Sequence, residues 1–176
     1  MSDDADTRAD NVSTRFDRLP EREADREVAG RPSREAVLDF WDDRFGVDPA
    51  VFEGYTFWER GNGKIWAFAG ELETPVDIEA LGMSFMRTRQ EHWKPTTEAV
   101  QRFGHHASRN VIDLSRSEAE ALLAGHSQEI EWGGDWGYLI ASHEIAGASE
   151  PIGVGLYVHG ELRSQIPKGR RREFGD

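Results

Sequence analysis

The sequence contains no cysteine. Disulfides, thiolate metal sites and thiol nucleophiles are therefore excluded, and whatever chemistry occurs here is not sulfur chemistry. It has no apolar run near the roughly 20 residues that span a bilayer, and its start, "MSDDADTRAD", has neither a basic stretch nor an apolar one of the kind that directs secretion. The expectation is a soluble cytoplasmic protein with no membrane partner. Lysine is scarce too: only Lys64, Lys94 and Lys168 stand beside 18 arginines. With 33 acidic residues against 21 basic ones and a net charge of -12, this composition points to a halophilic protein, in which hydrated carboxylates keep the chain soluble in concentrated salt. An acidic total also argues against a generic polyanion binder. Thermal melting in low and molar salt tests the halophilic reading; indifference to salt would overturn it.

What is present is enough apolar side chain for a core: 38% hydrophobic residues, with six Trp and nine Phe in 176 residues. Residues 1–32 lack apolar periodicity, and the stretch to Glu35 carries seven Arg and ten Asp or Glu. It reads as a disordered charged tail, with a nascent helix around Glu21 to Val28. After Pro32 and Ser33, Val37, Leu38, Trp41 and Phe45 recur at helical spacing until Gly46. Asp48 and Pro49 open a helical turn. Two aromatic runs, "YTFWE" and "KIWAFAG", flank "RGNG" as a β-hairpin. "TPVDIEALG" reads as a helical turn and "MSFMRTR" as a strand.

Further on, Thr96 or Thr97 caps a helix carrying Val100 and Phe103 inward, "NVIDL" is a strand, and Ser115 with Glu118 makes a capping box before a helix that stops at Gly125. Four β-like runs follow, "QEIEW", "GYLIASHE", "PIGVGLYVHG" and "ELRSQIP". They imply a small, strongly bent sheet or barrel and an α+β class. The domains expected are residues 1–32 as tail, 33–108 and 109–176.

Charge by segment says more than the total. It is -3 for residues 1–35, -7 for 36–86, +3 for 87–116, -8 for 117–162 and +3 for 163–176. The positive segments hold Arg87, Arg89, Lys94, Arg102, Arg109 and Arg116, then Arg163, Lys168, Arg170, Arg171 and Arg172. Arginine suits bidentate phosphate contact and base stacking. The plainer reading is that these residues pair with neighbouring carboxylates and that the terminal "RRR" is a solvated end.

Catalytic patterns fail in turn. "RGNGK" lacks the first Gly and the final Ser or Thr of a phosphate-binding loop, since Trp58 and Ile65 occupy those places. "GVGLY" lies within a strand run, where a bulge or close backbone approach explains its glycines. His92, His105, His106, His126, His143 and His159 show no metal-ligand spacing, and no G-x-S-x-G element exists. No metal, cofactor or enzymatic activity is expected.

The C-terminal half, "NVIDLSRSEAEALLAG" through "GYLIASHE" and "EPIGVGLYVHGELRSQIPKGRR", resembles a PUA domain, a small RNA-binding pseudo-barrel. The preceding "GMSFMRTRQEHWKPTTEAVQRFG" resembles the pre-PUA domain of Nip-type ribosome-assembly factors, and the whole is similar to the C-terminal RNA-binding region of archaeal Sun-family RNA cytosine-5 methyltransferases. The resemblance covers residues 34–173. It implies a small pre-PUA α/β domain followed by a PUA-like β pseudo-barrel, with structured RNA (rRNA or tRNA) as partner. Contacts are implied at Gly125 and His126 and at Arg163 through Arg171, flanked by Arg87, Arg89 and Lys94. The helix end "LLAG" departs from the family, which often has a basic residue where Ala124 stands. Sun-family enzymes use cysteine nucleophiles and a separate S-adenosylmethionine domain. These 176 residues have no cysteine and no length for that domain, so the resemblance is expected to describe ancestry and not activity.

The resulting expectation is a monomeric, non-catalytic RNA-binding protein of ribosome assembly or RNA modification, with Arg87, Arg89, Lys94, Arg102, Arg109, Gly125, His126, Arg163, Lys168, Arg170 and Arg171 at the RNA. Two alternatives stay open. One is an adaptor whose acidic stretches, 36–86 and 117–162, bind basic ribosomal proteins; the other is a methyltransferase-related enzyme. Under the RNA-binding reading, ribosomal proteins or an RNA-modifying enzyme are the further partners expected.

Overall fold

A computed structural model describes residues 15–174. The chain divides into two compact units, the first comprising residues 1–43 and 48–94, the second residues 44–47 and 95–176. The fold is α+β.

The first unit is built on a sheet of β1 (Arg15–Arg18), β2 (Thr56–Arg60), β3 (Lys64–Phe68), β4 (Val76–Asp77), β5 (Met83–Arg87) and β6 (Lys94–Pro95), in the order β4-β1-β2-β3-β5-β6. The expected hairpin is β2 and β3, paired antiparallel with Arg60 opposite Lys64. Helix α1 (Arg34–Phe45) starts where Ser33 Oγ accepts from the Ala36 N–H at 3.0 Å. Its Trp41 meets Phe52 and Phe85, and Phe57 completes the group, with ring centroids 5.0–6.0 Å apart. Trp58, one residue on, points to the other face of the sheet and packs with Phe16 and Leu81. Both faces of β2 are therefore buried, which explains its unbroken aromatic run.

Two expectations need correcting. Residues 15–32 are not a disordered tail; the part of that expectation that falls on residues 1–14 lies outside the described residues. Strand β1 inserts between β2 and β4, with Phe16 fully buried. Its charges are neutralised internally. Asp17 and Glu59 are directly opposite across β1 and β2, an arrangement that repels. Arg31 resolves it by donating to Asp17 at 3.3 Å and to Glu59 at 3.1 Å, while Glu59 also accepts from the Gly63 N–H. Mixed charge that looks like solvated surface in the sequence is in part a buried ion-pair network. The helix around Glu21 to Val28 reduces to a 3-10 turn at Glu23–Asp25. In "TPVDIEALG", Val76–Asp77 is a strand and not a helical turn, because it pairs with β1.

The second unit contains α2 (Thr97–Phe103), capped by Thr96, then β7 (Val111–Asp113), α3 (Arg116–Leu123), β8 (Gln128–Glu129), β9 (Gly137–Ile145), β10 (Ala148–Val158) and β11 (Glu161–Ser164). The Ser115 and Glu118 capping box is formed in both directions. The sheet runs β7-β9-β10-β11-β8, antiparallel except for β7 beside β9. Leu122 and Ala119 of α3 pack with Leu139, Ala141, Leu162 and Ile166. Ile140, on the opposite face of β9, faces Gly104 at the end of α2. The glycines of β10 are used as expected: the register shifts between Pro151 and Gly153, and an added Cβ at Gly153 or Gly155 would come within 2.5 Å of Ile166 or Leu162.

Candidate nucleic-acid interface

The first unit gathers cations by strand register. Arg60 is opposite Lys64, and Lys64 opposite Arg87, so these three share one face of β2, β3 and β5. Lys94 lies on the next strand. Burial holds the Lys94 ammonium below its ordinary range, and the Arg87 charge pushes it further in the same direction. Like charges directly opposite one another cost stability, so a row of three, with Lys94 near enough to feel Arg87, asks for a reason outside folding. Arg60 is partly stabilised by lying over the rings of Phe16 at 5.3 Å and Trp66 at 5.7 Å. Arg89 extends the row at the hairpin turn, close enough that a Cβ at Gly63 would overlap it. Arg87, Arg89 and Lys94 are legible in the sequence as a positive segment. Arg60 and Lys64 are not, because they sit in a segment of net charge -7; only hairpin register reveals them.

In the second unit the cations collect at the end of α3. The helix closes with the His126 N–H bonded to the Ala121 carbonyl and the Gly125 N–H to that of Leu122, a Schellman turn with Gly125 at φ +86°. Onto this corner the C-terminal segment folds back. The Arg172 N–H donates to the Leu123 carbonyl at 2.8 Å, and Arg171 donates from Nε to the Ile166 carbonyl. Its guanidinium lies so close over Gly125 that any Cβ there would overlap it. Gly125, His126 and Arg171 are thus brought together, with Arg172 beside them.

The other candidates are placed differently. Arg170 pairs with Glu98 at 2.6 Å, and Arg102 is one turn further along α2 on the Glu98 side. Arg163 pairs with Glu161 on its own strand at 2.9 Å, and Arg116 with Glu120. Lys168 is exposed in a 3-10 turn. Arg109 is beside Gly46, just before β7. The plainer reading of the arginines therefore holds for Arg116, Arg163 and Arg170, whose charge is shared with a carboxylate.

The histidines contribute a close pair, His105 and His106, with centroids 4.1 Å apart and ring planes tilted by 37°; burial first and the His105 charge second lower the His106 pKa. Among the described residues no cluster of three or more His, Asp or Glu has metal-holding geometry. None of the helices described is long and apolar enough to cross a membrane.

Known families bear on this geometry. Residues 109–172 match the family described as the methyltransferase RsmF PUA domain, and residues 1–82 match a family of unknown function, DUF7122. No curated protein matches the chain. The second unit therefore contains a PUA-type domain, running from β7 through the Arg172 hydrogen bond.

Proposed function

We propose that this chain is a non-catalytic RNA-binding protein that takes structured RNA, rRNA or tRNA, in ribosome assembly or in the presentation of RNA to a modification enzyme. The observation that carries the reading is the PUA-type match together with the Arg171 guanidinium held over the Gly125 turn. The resemblance has a weak place at Ala124, where a phosphate-binding side chain is missing. Arg171 and Arg172 bring positive charge to that same corner from the other end of the domain. The hydrogen bonds that hold them there, from the Arg172 N–H and the Arg171 Nε, reduce the ordering entropy lost on binding. The cation row Arg60, Lys64, Arg87 and Lys94 of the first unit supplies a second phosphate-binding surface. The pre-PUA-like role of that unit, and the absence of methyl transfer, belong to this proposal.

The test is fluorescence anisotropy with tRNA and rRNA-fragment transcripts at several salt concentrations. Arg171→Ala should weaken binding and lower the slope of log affinity against log salt by about 0.7 to 0.9 for each phosphate it no longer neutralises. Equal weak affinity of wild type and an Arg102→Ala, Arg170→Ala, Arg171→Ala variant would overturn the proposal. Calorimetry with S-adenosylmethionine tests the non-catalytic part, and clear binding would overturn it.

A further inference from the structure

Between the 3-10 turn Gly104–His106, β7 and the loop after β8 lies an open cleft of about 440 Å³ within the second unit. Its walls include His105, Arg109, Asp113 and Trp132. None of these is at the Gly125 corner, and only Arg109 belongs to the RNA contacts proposed above. The volume lies in the range of small-molecule pockets and exceeds what a single phosphate needs.

The wall chemistry is specific. Trp132 donates its indole N–H to the Asp135 carbonyl at 2.9 Å, and Gly134 lies against the six-membered ring, where a Cβ would be 2.7 Å from Cζ2. The ring is therefore fixed by its own loop and by the aliphatic core it packs on, with its polar edge satisfied, and the part of it left open lines the cleft. His105 adds a second ring. Asp113 is also pre-set: its Oδ1 accepts from the Ser142 hydroxyl at 2.5 Å and from the Ser149 hydroxyl at 3.3 Å. Ser142 is buried, so this carboxylate is oriented from beneath. Both lone pairs of Oδ1 are engaged, and among the described residues Oδ2 accepts no hydrogen bond. Arg109 supplies a cation on the same wall.

We infer that this cleft receives one unpaired guanine nucleotide. Its base stacks on Trp132, Asp113 Oδ2 accepts from its Watson–Crick edge, and Arg109 meets its phosphate. The choice of base follows from donors and acceptors. Guanine presents two neighbouring N–H donors, N1–H and N2–H, to one anionic oxygen. Adenine and cytosine place a ring acceptor beside their amino group, and uracil flanks its single N–H with two carbonyls; a carboxylate repels each of those acceptors. Stacking on an aromatic ring is indifferent to base identity, so the carboxylate sets the preference.

The inference rests on the RNA-binding reading, and the experiment separates the two. The full-length protein is titrated with 5′-GMP, AMP, CMP and UMP, and the Trp132 indole N–H, assigned with Trp132→Phe, is followed by NMR. GMP should give a saturable shift at least tenfold tighter than the other three. Asp113→Asn, which keeps the side-chain shape, should abolish that preference, while Arg171→Ala should leave it unchanged. Titration of an RNA hairpin with a single unpaired G, against its abasic counterpart, should show a five- to tenfold preference that Asp113→Asn removes. No GMP shift, together with RNA affinity indifferent to Asp113→Asn and Trp132→Phe, overturns the cleft and leaves RNA binding standing. GMP binding at Trp132 without any RNA binding supports the cleft and overturns the RNA reading.

Discussion

Both units carry exposed arginine ion pairs, but among the described residues only the first draws an arginine into a buried one. In the first, Arg31 is drawn inside, with only 11% of its side chain exposed and the Glu59 carboxylate beneath it fully buried. In the second, every ion pair described has at least one partner about a third exposed or more, and the core is aliphatic, drawn from Leu122, Leu139, Leu162 and their neighbours. The same residue type is a structural counter-ion at Arg31 and a rim group at Arg163 and Arg170, and at Arg22 within the first unit itself. Arginine count alone is therefore a poor guide to a phosphate surface; the partner and its burial decide the role.

That contrast can be broken most forcefully at Arg31. Arg31→Leu removes the guanidinium that bridges Asp17 and Glu59 and leaves Asp17 only its pair with the half-exposed Arg15 among the ion pairs described, and removing one partner of a buried pair costs about 3–5 kcal/mol. Urea unfolding should show a lower midpoint for Arg31→Leu, with Arg163→Ala nearly unchanged; equal shifts would erase the distinction. Phe16→Ala should follow closely, at about 3–5 kcal/mol for a buried ring, and a decrease below about 1 kcal/mol would mean that β1 is not docked. Arg87→Gln divides stability from binding. It should raise the unfolding midpoint slightly, by up to about 0.5 kcal/mol from relieved repulsion, while weakening RNA binding in anisotropy; weakening both would make Arg87 merely structural. Arg170→Ala should weaken binding less than Arg171→Ala, because Arg170 already shares its charge with Glu98. The smallest effect concerns His106. Its folded pKa lies below the ordinary value of about 6.5, so the folded state binds fewer protons than the unfolded one. Stability should therefore decline as pH falls below that ordinary value, and the part due to His106 should vanish in His106→Gln.

Much of this is legible in the sequence, for identifiable reasons. Helix ends are readable because Ser33, Thr96 and Ser115 are local caps whose hydrogen bonds span three residues. The β2–β3 hairpin is readable because its turn chemistry is contiguous. Strand β1 is not, since four residues with one aromatic group among charges carry no periodicity, and the partners that neutralise them, Glu59 and Arg31, are distant in sequence. The same reason hides Lys64 and Arg60, which join Arg87 only through register. At the α3 corner, Gly125 is visible as a helix stop, but the return of Arg171 to it is a long-range event. Segment charge locates the right stretches, yet it cannot tell Arg171, held by a carbonyl, from Arg170, held by a carboxylate.

The docking of β1 between β2 and β4 has a consequence for proteolysis. Trypsin must draw an arginine or lysine side chain into its own acidic pocket, so it competes with whatever already holds that side chain. Lys168 stands exposed in a short turn and offers no such competition, whereas Arg18, the last residue of β1, is paired with Glu71 and can be surrendered only by opening the β1–β2 pairing. The order of cleavage thus becomes a clock for local opening. Early cutting after Lys168 and late cutting after Arg18 would time the release of the N-terminal strand from its sheet.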